Sequence, residues 1–347
     1  MLVVVQVQYL RALAAFGVIF FHAFGYTTLD VVLQEKVKIG AAGVDLFFII
    51  SGFVMYLSTV DRQIGTAAFY KARLIRVVPL YWLATSLAVA IFVAAPQLTN
   101  HPSTWQHILS SYLFVAHPDP SRPDLFWPIV VPGWTLNYEM FFYLLFGLSL
   151  LLPKRAQIPN LAVTIGGLVA IGLIAHPPGI AGFYTHSLLL EFLLGLLFGA
   201  LYRKGVRLDG RLCLSLSALA LLSLLLLQPY FSEQSRVIFW GIPAAMLFCG
   251  SVFAKGSPMR LPIVEYLGAA SYSLYLSQFF SLKVFEIAAR ILNLPRGLMF
   301  VLVSVTLAII VGVLVYAFIE VPITRLLKPR ARLSLQEKVS PVTSAAG

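Results

Sequence analysis

Along the chain, long apolar runs alternate with short polar breaks, and the runs have the length that a membrane-crossing helix needs. They fall near residues 9–27, 43–59, 77–95, 134–152, 161–176, 183–202, 211–228, 237–254, 264–284 and 298–319. This pattern predicts an all-α fold, a polytopic membrane helix bundle with about ten transmembrane helices and both termini on one side. The fifth run is short and rich in glycine. No internal repeat is evident, so the pattern gives no support to an inverted-repeat transporter. The first run has no basic stretch before it and is followed by similar runs, so it is expected to stay in place as a first helix and not to act as a cleaved signal.

Composition agrees with that reading. Hydrophobic residues make up 59% of the 347 positions, charged residues 11%, and mean hydropathy is +0.88, too apolar for any soluble core to hide. The net charge of +11 sits in short clusters between the runs and not on one continuous face, which argues for membrane topology and against a nucleic-acid partner. With the N-terminus inside, seventeen Lys and Arg fall in inner segments and seven in outer ones, Arg11 left aside. Both termini are therefore expected in the cytoplasm, in a multi-pass protein of a bacterial inner membrane. Lys283, Arg290 and Arg296 are the exception, for they crowd into the last outer loop. Residues 1–327 form the expected membrane domain, and 328–347 a polar cytoplasmic tail expected to be disordered.

Cys213 and Cys249 lie inside apolar runs with no metal-type spacing, so neither a disulfide nor a zinc site is expected. The longest loop, 96–133, carries an amphipathic patch from Trp105 to Val115 and His101, His107 and His117, whose spacing matches no ligand pattern. No metal is expected.

The polar residues inside the runs carry the candidate chemistry. Arg11 and His22 interrupt the first run eleven residues apart, which places them on one helical face about 16 Å apart along the axis. Ionisable groups at membrane depth are costly and usually face a protein interior or a water-filled path. His22, Asp45 and Glu139 are all expected in the outer half of the membrane. An imidazole backed by a carboxylate can remove a proton from a hydroxyl; the same three groups could equally be a polar network holding spans one, two and four together. On the cytoplasmic side, Lys71, Arg73 and Arg76 precede span three. Arginine forks suit a phosphorylated ligand, and equally suit an anchor on lipid phosphates. Pro79 then falls in the first turn of that span or at a kink.

Taken in order, Arg-x10-His in span one, GVDLFFIISGF, RxxR followed by PLYW, WTLNYEMFFYL, EFLLGLLFGAL, LGAASYSLYLSQ and EVPITRLL resemble the acyltransferase 3 family from about Gln8 to Leu327. The opening VQYLRALAAFGVIFFHA is most similar to its exopolysaccharide O-acetyltransferase branch. The resemblance implies that His22 is the catalytic histidine with Arg11 as its motif partner, that Arg73 and Arg76 engage an acyl-coenzyme A donor, and that Glu139 is the motif's acidic residue. Two positions depart from the pattern: Thr135 replaces a serine, and Gln278 stands where many members have histidine.

The expectation is thus an O-acyltransferase that moves an acetyl or other short acyl group from cytoplasmic acetyl-coenzyme A to a hydroxyl of an extracytoplasmic saccharide, such as an exopolysaccharide or O-antigen. His22 would be the base, with Glu139 or Asp45 behind it, and Arg11, Arg73 and Arg76 would hold the donor. Relatives of this size carry the membrane domain alone, so transfer would need no appended domain or would use separate polysaccharide-assembly proteins. The rival expectation is a transporter or flippase of lipid-linked saccharide, with the same polar groups lining a path and no bond made.

Overall fold

The computed structural model describes residues 4–29, 37–61, 64–95, 103–256 and 259–327, and over these it is helical with no β-sheet. Helix α1 spans Val5–Phe24, and a 3-10 turn, Lys38–Ala42, leads into α2, Gly43–Thr59. The longest helix, α3, is Thr66–Ala94, followed by the short α4, Trp105–Tyr112, and by α5, Gly133–Ser149. Then come α6, Lys154–Ala175, the one-turn α7, Gly179–Tyr184, α8, Leu189–Arg203, and α9, Gly210–Leu227. A π-helical turn, Val237–Gly241, opens into α10, Ile242–Val252, and α11, Pro262–Ala269, abuts α12, Ser271–Ile291. The chain ends its described part with α13, Leu298–Val315, a second π-helical turn, Tyr316–Glu320, and α14, Val321–Leu327.

Among the described residues, seven helical stretches are long and apolar enough to cross a membrane. Three expected spans fall short of that mark. Helix α5 has 17 residues, Val237–Val252 is shorter still, and α12 carries Lys283, Glu286 and Arg290 among its 21. The third span begins at Thr66 and not near 77, because Lys71, Arg73 and Arg76 interrupt the apolar run without interrupting the helix. Its 29 residues reach about 44 Å, well beyond a hydrocarbon core of about 30 Å. Pro79 is consequently interior to α3 and not in its first turn. The fifth span, short by its apolar run, is a 22-residue helix. The tail 328–347, Arg62 and His101 lie outside the described residues.

Large apolar side chains face outward along the helices: Val163 and Ile174 on α6 and Leu214 on α9 are 75%, 82% and 73% exposed, a surface suited to lipid and not to water. The interior is aromatic. Phe192 of α8 lies between Phe48 of α2, at 4.7 Å between ring centres, and Phe142 of α5, at 4.4 Å. Helices α2 and α8 meet almost backbone to backbone at Gly52 and Gly195. A Cβ on Gly52 would collide with the Phe192 carbonyl oxygen, and one on Gly195 with that of Ile49, so only glycine fits at either place. Cys213 is buried, Cys249 half-buried, and both are free thiols.

The amphipathic patch of the long loop is α4. Thr104 caps it by accepting from the His107 backbone N–H at 3.2 Å, and Trp82 of α3 donates its indole N–H to the Tyr112 carbonyl at 2.8 Å. His107 hydrogen-bonds the Trp127 carbonyl at 2.8 Å through Nε2, and its ring stacks on that of His117.

Candidate active site

Arg73 and Arg76 sit in the third turn of α3, three residues apart and so on neighbouring parts of one face. Arg76 pairs with Glu320 in the second π-helical turn, Nη1 to Oε1 2.7 Å, and Ser273 donates to the other Glu320 oxygen at 2.6 Å. The Arg76 guanidinium also lies 5.8 Å from the ring centre of Tyr272, whose hydroxyl donates to the Val77 carbonyl at 2.7 Å. Arg76 is therefore held in one pose. Arg73 is not: its head lies 5.9 Å from the Phe69 ring centre, and its Nε is buried without a hydrogen-bond partner among the described residues.

Arg11 joins them from α1, donating through Nε to the Ser271 hydroxyl at 3.0 Å. All three arginines line one cavity of about 140 Å³, together with Ser51 of α2 and Glu139 and Tyr143 of α5. Glu139 accepts from Ser51 at 3.2 Å, and from Tyr143 in a short contact. The cavity also touches α2 from Val44 to Met55, a rise of about 16 Å along that helix. Thr135, the serine substitute, hydrogen-bonds the Pro132 carbonyl at 3.0 Å and the Tyr275 hydroxyl at 3.0 Å, so its hydroxyl is in use.

The expected outer cluster of His22, Asp45 and Glu139 is not assembled. Asp45 occupies the first turn of α2, where a carboxylate suits the helix N-terminus, and both its oxygens are taken by Arg236: Nε to Oδ1 3.1 Å, Nη2 to Oδ2 2.9 Å. Asp45 is fully buried, and the guanidinium lies near Trp134 and Trp240, at 5.7 and 4.6 Å from their ring centres. The Glu191 carboxyl of α8 lies against the same pair. Arg236, counted from sequence as an outer-loop charge, is thus an interior residue. Glu139 hydrogen-bonds Ser51, six residues and about 9 Å deeper along α2 than Asp45. Depth separates these carboxylates, and it puts Glu139 in one cavity with the arginines that were expected on the opposite side.

His22 is half-buried in the last turn of α1, against Phe21, and does not line that cavity. Its level follows from α12, which runs alongside α1 in the same direction. Arg11 meets Ser271 at one end, the Thr28 N–H donates to the Arg296 carbonyl at 3.1 Å at the other, and Ala15, Ile19 and Ala23 pack with Leu274 and Leu282 between. His22 is therefore level with the C-terminal half of α12. Gln278 stands between that level and Tyr275 on the cavity wall; it is buried, and neither amide atom has a partner among the described residues.

Sequence reasoning did not find Glu320, Arg236, Glu191, Ser51 or Tyr143. A lone acid in an apolar run was the available signal for Glu320 and Glu191, since each must meet a partner when buried. Ser51 and Tyr143 carry no such signal.

Known proteins agree on the kind of chain this is. The acyltransferase domain family model, Acyl_transf_3, matches residues 4–317. The chain is 36% identical over 304 residues to the exopolysaccharide production protein ExoZ of Rhizobium meliloti (strain 1021), covering 85% of this chain and 92% of that one. It is 26% identical over 363 aligned positions to the acyltransferase MdmB of Streptomyces mycarofaciens, covering 92% of each. No solved structure matches it.

Proposed function

The chain belongs to the acyltransferase 3 family, membrane enzymes that transfer acyl groups, and from that premise we propose a membrane O-acyltransferase with a saccharide acceptor. The donor is acetyl-coenzyme A or another short acyl-coenzyme A from the cytoplasm, and the acceptor is a hydroxyl on an extracytoplasmic saccharide. The name of the Rhizobium relative supports a polysaccharide as that acceptor. The protein crosses a bacterial inner membrane about ten times with both termini inside, and separate polysaccharide-assembly proteins present the acceptor.

The observation that carries this reading is one cavity within the helix bundle lined by three arginines and by a hydroxyl-bound carboxylate. Arginine forks are matched to phosphate oxygens, and Arg73 has spare donor capacity. Phosphates of the donor bind at Arg73 and Arg76 with Arg11 beyond them, and the pantetheine arm runs outward along α1. From Arg11 to His22 is about 16 Å of helix, the direction in which the thioester must travel.

At the outer end His22 takes the proton of the acceptor hydroxyl as its oxygen attacks the thioester carbonyl. The C–O bond forms, the C–S bond breaks, and the coenzyme A thiolate leaves and takes up a proton. Glu139 acts from the cavity, holding its hydroxyl donors and facing the arginines, while Asp45 is committed to Arg236 and supports the fold.

The test is free coenzyme A release by full-length protein in liposomes, with acetyl-coenzyme A and an unfractionated outer polysaccharide. His22→Ala is expected to lose acceptor-dependent release by about 10²–10⁴-fold. Normal release would remove His22 from the reaction, and saccharide crossing the bilayer with no donor consumed would establish the transporter reading instead. In the same preparation Arg73→Ala with Arg76→Ala should weaken coenzyme A binding at least about tenfold, since hydrogen bonds to charged groups contribute about 1.5–3 kcal/mol each. Unchanged affinity would sink the phosphate clamp.

A further inference from the structure

The basic residues that break the topology rule converge in space. Glu286, fully buried on α12, is the common partner of Lys283 (Nζ to Oε2 3.3 Å), of Arg296 (Nη1 to Oε1 3.8 Å) and of Arg290, whose Nε pairs with Oε1. A buried carboxylate needs one good cation to offset its burial. Here it has three, so two positive charges are left over among the described residues. The cations are not sealed in with it: Arg290 is 64% exposed, Lys283 34% and Arg296 30%.

Basic residues on the outer side of a membrane run against the usual bias. Three held on one root therefore call for a counter-charge that the chain does not itself supply. Their position says where it would sit. The Thr28 N–H, just past the end of α1, donates to the Arg296 carbonyl, which ties the cluster to the same end of α1 that carries His22.

Resting on the topology and reaction proposed above, we propose that Lys283, Arg290 and Arg296 form an outer binding site for an anionic group on the saccharide acceptor, a sugar carboxylate. Two arginine forks and an ammonium suit such a group, and Glu286 keeps them gathered while it is absent. The enzyme would then select acidic saccharides and hold them beside His22.

The test is binding, independent of acyl transfer. Full-length protein in phosphatidylcholine nanodiscs is titrated with an oligoglucuronide and with its carboxyl-reduced counterpart. The oligoglucuronide is expected to bind about tenfold tighter or more, a difference of at least about 1.4 kcal/mol, and Arg290→Gln with Arg296→Gln should abolish that preference. Equal affinity for the two saccharides, or a preference that survives the double variant, overturns the proposal. Should the double variant fail to fold, Arg290→Gln alone retains two cations on Glu286 and should reduce the preference severalfold; no reduction overturns the proposal.

A lipid arm separates the other source of anions. If the wild type shows no saccharide preference, but enriches phosphatidylglycerol from mixed bilayers and the double variant does not, the site holds a lipid headgroup and the saccharide assignment falls. Loss of coenzyme A release with the charge preference intact would count against the proposed reaction and leave this site standing.

Discussion

Asp45 and Glu139 look alike in the sequence, each a lone acid near the start of an apolar segment, yet the fold uses them in opposite ways. Asp45 is fully buried, with both oxygens matched by the Arg236 fork and two tryptophans flanking the guanidinium. Nothing remains free for a ligand. Glu139 has hydroxyls for partners, Ser51 and Tyr143, and lines a cavity that three arginines line as well. A buried charge satisfied by its full counterpart holds helices together; one satisfied by hydroxyls beside a cavity can change partners. The state of pairing, more than burial, distinguishes the two acids.

The sharpest way to break that contrast is at Asp45. Asp45→Ala takes from buried Arg236 the carboxylate that binds both sides of its fork, leaving it Glu233 at 3.4 Å and the nearby Glu191, and should destabilise the protein by about 3 kcal/mol, read as a large fall in Tm in detergent. Asp45→Leu with Arg236→Met, apolar on both sides, should recover most of the loss. If instead the single variant keeps its Tm and loses turnover, Asp45 belongs to the reaction and the contrast collapses.

Glu139→Gln is the converse experiment and the smaller effect on folding. The amide can still accept from Ser51 and Tyr143, so stability should stay within about 1 kcal/mol of wild type, while coenzyme A release falls by about 10²-fold or more. Unchanged release together with a reduced Tm would make Glu139 a packing residue like Asp45.

Much of the fold was legible because membrane helices announce themselves by length and apolarity, and most expected boundaries lie close to those observed. What hydropathy cannot give is the rotation and depth of each helix. Asp45 finds Arg236 across 191 residues, Arg76 finds Glu320 across 244, and Arg11 finds Ser271 across 260. Those pairings depend on which helices are neighbours. The start of α3 was misplaced for a related reason: a charge reads as the end of a span in sequence, yet Arg73 and Arg76 are carried inside the bundle by an unbroken helix. The site residues Arg11, Arg73, Arg76 and Glu139 were visible as motif positions, but their sharing of one cavity was not. Lys283, Arg290 and Arg296 were visible only as an exception to the charge bias, and their convergence on Glu286 was not.

The glycine contact between α2 and α8 has a mechanical consequence. At Gly52 and Gly195 the two backbones touch with no side-chain layer between them to act as a bearing, so the pair is expected to move as one unit of the bundle. Around the cavity, α3, α12 and the π-helical turn before α14 meet instead through side chains, Arg76 to Glu320 and Tyr272 to the Val77 carbonyl. The first kind of contact has no rotamer to change, and the second has several. A guest larger than the cavity is therefore expected to displace the helices joined by side chains before it parts α2 from α8.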